Sequence, residues 1–294
     1  MRTRPLRLPD DRNVSLDLAV EVAATDGHAP LSETKLTAIQ RGTSAHPGVA
    51  IVGDDDTVEA YAAVAQSSDP AEWGVEPVIP VGHRRGPALQ VLIAAIAAEA
   101  GRRGVTALRL WLYTADLLDD ATALGFTPER TLLLMRRGLP ADEEPRFPDD
   151  VTVRGFSVDD DSDRWLEVNN RAFDSHPENG NWDHDGLRAR LAMPWFDPEG
   201  LRMAWSGDTL VGFCWTKVHP EGSGEIYIIA TNPDHQGQGI GHALVGEGMR
   251  FLAEAGAPAV FLYCEASNGP AVALYERLGF STERSHRSLI RQLA

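Results

Sequence analysis

The pattern of apolar and polar positions predicts a similar order of helices and strands in each half of the chain. The first half predicts helices over 13–25, 31–42, 83 to about 103 and 117–124, and strands over 49–53, 57–65, 75–80, 107–113 and 130–135. The second half predicts strands over 151–155, 203–205, 209–218, 225–231 and 259–265, and helices over 160–173, 185–191 and 242–255. We therefore predict an α+β protein with two tandem copies of one fold, each a mixed, mostly antiparallel sheet flanked by helices.

The boundary between the copies lies in a proline-rich, acidic stretch over 139–150, which is typical of a linker. The predicted domains are therefore 1–138 and 151–294. Within this repeat, Leu110–Tyr113 aligns with Val260–Tyr263. Counting eleven residues back from each loop pairs Glu72 with Glu225.

One segment of the second copy has the order strand, glycine loop, helix. An apolar run from Glu225 ends at Asn-Pro, and Gly237, Gly239 and Gly241 then alternate before a helical period begins. This order can direct the backbone N–H groups of the loop and the helix dipole at a bound anion. Glycine lets the backbone approach a phosphate closely. A tight turn without a ligand would have the same pattern, so the loop alone is not decisive.

A second segment follows the strand over 259–265. Asn268 stands at the expected helix N-cap, Ala271 and Tyr275 share a helical face, and Gly279-Phe280 follow. Together with Gln236-x-x-Gly239-x-Gly241, this pattern resembles the GCN5-related N-acetyltransferases, the GNAT family. The resemblance implies two tandem GNAT domains and acetyl-CoA as co-substrate.

Further segments of the second copy resemble the mycothiol synthases within that family. They are Asn170-x-Ala172-Phe173-x-x-His176-Pro177-Glu178, Pro194-Trp195-Phe196-Asp197-Pro198, Gly212-Phe213-x-Trp215-Thr216-Lys217-Val218-His219-Pro220 and Gly224-Glu225-Ile226-Tyr227. The resemblance implies acetylation of the cysteinyl amine of desacetylmycothiol, which is cysteinyl-glucosaminyl-inositol. Ser267 and Gly269-Pro270 depart from the usual family residues, but they leave the N-cap and the tyrosine in place.

The resemblance also implies roles for individual residues. Glu225 is the expected general base and a substrate contact, and Tyr275 is the expected general acid. The further expected substrate contacts are Glu33, Glu178, Lys217 and Tyr263; solvated surface charges remain the alternative for Glu33 and Lys217.

The acetyl-CoA site is expected to use three segments of the second copy: the strand residues Ile229, Ala230 and Thr231; the loop residues Gln236, Gly237, Gln238, Gly239, Ile240, Gly241 and His242; and the helix start Asn268, Gly269, Pro270, Ala271, Val272 and Ala273. The corresponding residues of the first copy are Val78, Arg84, Arg85, Gly86, Ala88 and Leu89. That copy has Ala121 in place of the tyrosine, and Pro87 removes one loop N–H. We therefore expect the first copy to be non-catalytic, with CoA binding there left open.

Net charge, the cysteines and the spacing of the histidines each argue against one kind of function. The net charge of −16 argues against a general nucleic-acid binder. The two cysteines, Cys214 and Cys264, lie in apolar runs typical of buried free thiols. His176, His184 and His219 do not have metal-ligand spacing, so no metal is assigned.

The chain lacks an apolar stretch of membrane-spanning length and a signal-peptide pattern, so we expect a cytoplasmic monomer acting on a small molecule. Two alternatives remain from the sequence alone. One is a GNAT acetyltransferase for a protein N-terminus or an aminoglycoside amine, and the other is a non-catalytic acyl-CoA sensor.

Overall fold

A computed structural model describes residues 1–43, 48–67, 69–141, 144–174 and 181–293. Its strands are β1 (Arg2–Pro5), β2 (Val49–Val52), β3 (Val58–Gln66), β4 (Glu72–Val78), β5 (Ala107–Leu112), β6 (Thr127–Gly138), β7 (Val151–Arg154), β8 (Leu201–Ser206), β9 (Thr209–Val218), β10 (Gly224–Thr231), β11 (Ala259–Glu265) and β12 (Ser281–Gln292). Its helices are α1 (Arg12–Asp26), α2 (Glu33–Arg41), α3 (Val81–Arg84), α4 (Ala88–Arg102), α5 (Leu118–Ala123), α6 (Val158–Ala172), α7 (His184–Leu191), α8 (Ile240–Glu254) and α9 (Gly269–Arg277).

The chain divides into two compact units. The first unit comprises Met1–Leu132 and Ser285–Ala294, and the second comprises Leu133–Arg284. The end of the chain therefore belongs with the first unit, whereas the sequence analysis placed it in the second domain. The physical reason is hydrogen bonding: Arg287–Gln292 of β12 pair antiparallel with Ala107–Leu112 of β5.

The first unit is built on a sheet in the order β1-β2-β3-β4-β5-β12-β6. From β1 to β12 in this order, neighbouring strands are antiparallel except for β4 and β5, which run parallel over Glu72–Val75 and Ala107–Leu110. One apolar core packs against α4, and a second packs against α1 and α2. The α+β fold with a mixed sheet follows from these two layers.

The second unit has the strand order β12-β6-β11-β10-β9-β8-β7. The parallel pair is β10 with β11, and α8 packs on one face of the sheet with Leu244, Val245 and Leu252 in the core. The other face carries an aromatic core that includes Trp165 of α6 and Trp215 of β9.

An ion pair with a buried carboxylate marks the repeat near the start of each unit. Arg4 binds Asp11 through two contacts of 2.6 and 2.9 Å, and Arg154 binds Asp161 at 2.6 and 2.7 Å. In each unit the same carboxylate also accepts a hydrogen bond from a backbone N–H four residues before it. The sequence analysis missed this pair, and it also missed β1, β12 and the full length of β6.

Candidate active site

The central strand of the second unit contains a β-bulge. Ile226 lies opposite Thr216 and Ile228 lies opposite Trp215, so Tyr227 is the extra residue. The parallel pairing with β11 covers Gly224–Ile226, whereas β10 continues along β9 to Thr231. The two parallel strands therefore diverge after Ile226.

The divergence leaves backbone donors along one edge of β10. Asn232 N–H donates to the Val211 carbonyl oxygen on the β9 side at 2.9 Å. Because successive N–H groups of a strand point to opposite edges, those of Thr231 and Ile229 point towards the side that β11 has left. Two of the three strand residues predicted to hold acetyl-CoA are thus placed to donate there, whereas Ala230 N–H points towards β9.

The carboxylate of Glu225 lies just before the bulge, with its side chain 10% exposed. Its Oε2 is 2.8 Å from His219 Nε2. On the two neighbouring strands, Glu225 lies opposite Lys217 of β9 and Phe261 of β11. All four side chains therefore belong to one region of the same sheet face.

The predicted substrate contact Lys217 is almost buried among aromatic rings. Its Nζ lies 4.9 Å from the Trp195 ring centroid and 5.7 Å from that of Tyr227. A cation over the faces of two aromatic rings is attracted by their negative quadrupoles. The structure thus places Lys217 opposite Glu225 on the neighbouring strand.

The predicted contact Tyr263 stands two residues after Phe261, with ring centroids 6.0 Å apart. Although the residue is 44% exposed, loss of solvent around it and the Glu225 carboxylate raise its pKa to about 12.

Arg136 lies 5.4 Å from the Phe261 ring centroid and contacts Glu283 at 2.6 Å. This ion pair was not singled out from the sequence.

The glycine loop has the backbone geometry that requires glycine. Gly237 and Gly239 have φ of 77° and 81°, in the left-handed region. Gly239 is the N-cap of α8. The intrahelical hydrogen bonds begin with Ala243, whose N–H donates to the Gly239 carbonyl oxygen. The N–H groups of Ile240, Gly241 and His242 precede it and are available at the helix start. A Cβ at Gly241 would lie 3.3 Å from Thr231 Oγ1, so the loop also packs closely on β10.

The predicted N-cap is confirmed at α9, where Asn268 Oδ1 accepts a hydrogen bond from Ala271 N–H at 3.3 Å. Pro270 lies in the first turn, where no donor is lost. The other predicted residues of this segment, Gly269, Val272 and Ala273, lie in the same first turns.

The predicted acid Tyr275 is buried on α9, and its ring contacts Phe280 edge-on with centroids 5.8 Å apart. Burial raises its pKa well above the ordinary tyrosine value, so the hydroxyl stays protonated. Burial also raises the pKa of nearby Cys264 to about 11. The thiol therefore carries little thiolate at neutral pH, which disfavours a role as a nucleophile.

The strand register of the first unit corrects the repeat alignment. The turn after β9 is closed by a bond from His219 N–H to the Ser223 carbonyl oxygen, and the turn after β3 by one from Ser67 N–H to that of Glu72. Counted from these bonds, the pair Lys217 and Glu225 corresponds to Ala65 and Gly74. The counterpart of Glu225 is thus Gly74, not Glu72. Counting from the loops failed because the second unit has two additional residues, one of them the bulged Tyr227.

The same register corrects the tyrosine pairing. Ile226 lies opposite Leu262, and its counterpart Val75 lies opposite Leu110. Tyr263 therefore corresponds to Trp111, not to Tyr113. The match of Tyr275 with Ala121 stands, because each accepts the same backbone hydrogen bond from the phenylalanine five residues later.

The loop of the first unit is folded differently. Residues 81–84 form the short helix α3, and neither Gly82 nor Gly86 is among the described glycines with positive φ. The N–H of His83 donates to Pro80, and that of Gly86 donates to His83 at 3.4 Å. These two loop donors of the first unit are thus bonded within the loop itself.

The first unit also uses its predicted phosphate ligand elsewhere. Arg84 is 5% exposed and binds Asp26 at 2.6 Å, Asp116 at 3.0 Å and the Ile79 carbonyl oxygen at 3.0 Å. This arginine holds α1 and the segment after β5 together, so the predicted CoA contact is replaced by an internal one. Of the other predicted residues, Arg85 and Gly86 are exposed, whereas Val78, Ala88 and Leu89 are buried in the cores.

Two predicted substrate contacts remain less defined. Glu33 is exposed in the first turn of α2 in the first unit. Glu178 lies outside the described residues, as does His176. Among the described residues, His, Cys, Asp and Glu form no group of three that would suit a metal, and no described helix combines the length and apolarity that crossing a bilayer takes.

Similarity to known proteins agrees with this geometry. The model of the Acetyltransferase (GNAT) family matches residues 163–280, from α6 to the end of the glycine-phenylalanine motif. Two solved structures share the fold across the chain. A GCN5-related N-acetyltransferase from Sphaerobacter thermophilus has a TM-score of 0.80 at 21% identity, covering 99% of this chain and 95% of that one. A tandem GNAT protein from the clavulanic acid biosynthesis pathway has a TM-score of 0.77 at 16% identity, covering 100% and 98%.

Closer relatives are proteins named mycothiol acetyltransferase. The one from Thermomonospora curvata is 42% identical, covering 92% of this chain and 91% of the relative. The one from Geodermatophilus obscurus is 40% identical, with 92% of each chain covered. The chain therefore belongs to the mycothiol acetyltransferase family, and it is an acyltransferase with the GNAT fold.

Proposed function

We propose that the second unit transfers the acetyl group of acetyl-CoA to the cysteinyl amine of desacetylmycothiol. The observation that carries the proposal is the position of Glu225, directly before the point where β10 and β11 diverge. The names of the relatives support the choice of acceptor.

The base has a modest task with this acceptor. An α-amine has a pKa of roughly 7.7–8.0. A substantial fraction of the amine is therefore already in the neutral form, which is the form that attacks a thioester. Glu225 accepts the proton that the nitrogen must lose. Its Oε2 contacts His219.

The cofactor site fits a pyrophosphate and a pantetheine arm. The loop from Gln236 to His242 and the N-terminus of α8 would hold the pyrophosphate through backbone N–H groups. The donors of Ile229 and Thr231 would hold the arm and polarise the thioester carbonyl. Asn268 fixes the start of α9 and thereby the position of Tyr275.

The base and the acid lie on different faces of the sheet. Glu225 is on the face of Phe261 and Lys217, whereas Tyr275 packs in the core with Leu262 and Cys264, on the face of α8. A thioester between the diverging strands would have the amine and Glu225 on one side and Tyr275 on the other. Tyr275 then donates its proton to the leaving sulfur.

Recognition of the polyhydroxyl acceptor is proposed for Lys217 and Tyr263, which lie beside the base. Sugars need several fixed polar partners, and these two side chains supply a cation and a hydroxyl. Glu33 and Glu178 stay predictions from the sequence.

The direct test is a panel of amines incubated with acetyl-CoA and the whole chain, with release of CoA thiol and product mass as readouts. We expect turnover of desacetylmycothiol, and little turnover of peptide N-termini or aminoglycosides. Acetylation of the peptide amine alone would overturn the proposed acceptor while leaving the acyltransferase class intact.

A further inference from the structure

We propose that His219 forms a proton-conducting pair with Glu225, in which the imidazole takes the proton collected by the carboxylate and releases it to water. The inference rests on the proposed function, because it assigns an exit route for the proton that the acceptor amine loses. His219 acts through Glu225 and is therefore a positioning and relay residue.

The geometry of the pair fits transfer between the two side chains. Nε2 and Oε2 are 2.8 Å apart, and the imidazole is 22% exposed against 10% for the carboxylate. The more buried member thus faces the reaction, and the more exposed member reaches solvent.

The ring is also fixed in place. The backbone N–H of His219 donates to the Ser223 carbonyl oxygen at 2.9 Å, and the backbone carbonyl oxygen of His219 accepts from Gly222 N–H at 2.8 Å. These two bonds close the turn between β9 and β10. The imidazole lies 5.2 Å from the Phe261 ring centroid. A ring held by a turn and an aromatic neighbour keeps one nitrogen directed at Glu225.

The first unit offers an internal comparison. Its corresponding turn begins with Ser67, whose N–H donates to the Glu72 carbonyl oxygen at 3.1 Å. Where the second unit has His219, Lys217 and Glu225, the first has Ser67, Ala65 and Gly74. Imidazole, ammonium and carboxylate are all absent at those positions of the first unit, as expected of a set that works together.

Several charged groups surround the pair and must be considered in any pH profile. They are Lys217 of β9, Glu221 in the turn, Tyr263 of β11, Arg136 of β6 and its partner Glu283 of β12. The cations and anions among them partly offset each other. We therefore assign the pH dependence to His219 only through a matched variant.

The proton balance is simple. The neutral amine and acetyl-CoA give the amide and the CoA thiol; the C–N bond forms, the C–S bond breaks, and the one proton that nitrogen loses is matched by the one that sulfur gains. Glu225 takes the proton from nitrogen and passes it to Nε2 of the imidazole tautomer that carries its own proton on Nδ1. The imidazolium then loses a proton to water, while the thiolate is protonated by Tyr275, which is later reprotonated from solvent.

The test compares His219→Gln with the whole wild-type chain on whichever amine the panel shows to be acetylated. Glutamine keeps a hydrogen-bond donor near Glu225 but cannot carry a proton. We expect kcat to fall about tenfold, less than the roughly 10²–10⁴-fold contribution of a general base, because Glu225 is still present. The KM for acetyl-CoA should be unchanged. His184→Gln is the control, because His184 is an exposed histidine of α7 that pairs with Asp163 at 3.1 Å.

A second variant separates relay from structure. In His219→Ala, added imidazole buffer should restore part of kcat in proportion to its concentration, while the wild type should not respond. Thermal unfolding of both variants verifies that they are folded. A wild-type kcat and pH profile in folded His219→Gln, or no response of His219→Ala to imidazole, would overturn the relay. Loss of the acceptor preference in the panel would instead overturn the proposed function.

Discussion

The two units share one fold but differ at each position proposed to take part in the chemistry. At equivalent positions the second unit has Glu225 and Tyr275, and the first has Gly74 and Ala121. The second unit has a glycine loop with two left-handed residues, whereas the first has the helical turn α3. The two units thus keep the same sheet arrangement, while the groups proposed to bind the co-substrate and transfer protons are present in one of them.

The largest expected effect comes from removing the base. Glu225→Gln keeps the size of the side chain but accepts a proton poorly, so kcat should fall by about 10²-fold or more. Acetyl-CoA affinity, measured by calorimetry, should be unchanged, because the loop and α8 are untouched. A kcat near that of the wild type would show that Glu225 is not the base.

A smaller loss is expected for Tyr275→Phe. The ring still packs against Phe280, so the fold is kept, but the proton for the leaving sulfur is lost. A thiolate leaves readily, since thiol pKa values are about 8.5, so we expect a decrease in kcat of no more than about 10²-fold.

Kinetics separate this role from a binding role. If kcat holds and only the KM for acetyl-CoA rises, Tyr275 is a contact and not an acid. Because burial raises its pKa above the usual value near 10, the tyrosine should cause no loss of rate between about pH 7 and 9. Deprotonation of this group would cost activity only as pH rises through the raised value.

A substitution in the glycine loop is expected to weaken the affinity for acetyl-CoA. Gly239→Ala places a side chain at a φ of 81°, which costs about 1–2 kcal/mol. The unliganded loop is expected to relax out of this conformation and to regain it on binding, so the Kd for acetyl-CoA should rise about tenfold. Gly82→Ala in the first unit is the matched control, because that glycine has no positive φ and open space for a Cβ. Equal Kd values for the two variants would contradict the assigned pyrophosphate site.

The smallest effect on turnover is expected for Glu72→Gln. Glu72 binds Arg109 through contacts of 2.6 and 2.9 Å, so its role in the structure is an ion pair. We expect kcat to stay at the wild-type value while the free energy of unfolding falls by about 1–3 kcal/mol. Calorimetric unfolding measures the second quantity, and a large loss of kcat in folded protein would revive a second active site.

The sequence predicted the glycine loop, the N-cap at Asn268 and most strands because each depends on local periodicity and turn residues. It mispaired Glu72 with Glu225 because a β-bulge adds a residue without a signature in the local pattern. It missed His219 as a partner of Glu225, although His-Pro at a strand end was visible. Cross-strand contacts become apparent once the register is known, and the placement of Ser285–Ala294 depends on a long-range pairing of the same kind.

The most direct test of the central claim, that the second unit alone does the chemistry, is the kcat of the double variant Glu225→Gln/Tyr275→Phe with the first unit unchanged. The account predicts acetylation of desacetylmycothiol near the rate without enzyme, in a protein that unfolds at the wild-type temperature. The two substitutions act on one reaction, so the combined loss need not equal the product of the single losses. Retention of about half of the wild-type turnover would mean that the first unit is a second active site, and would contradict the account.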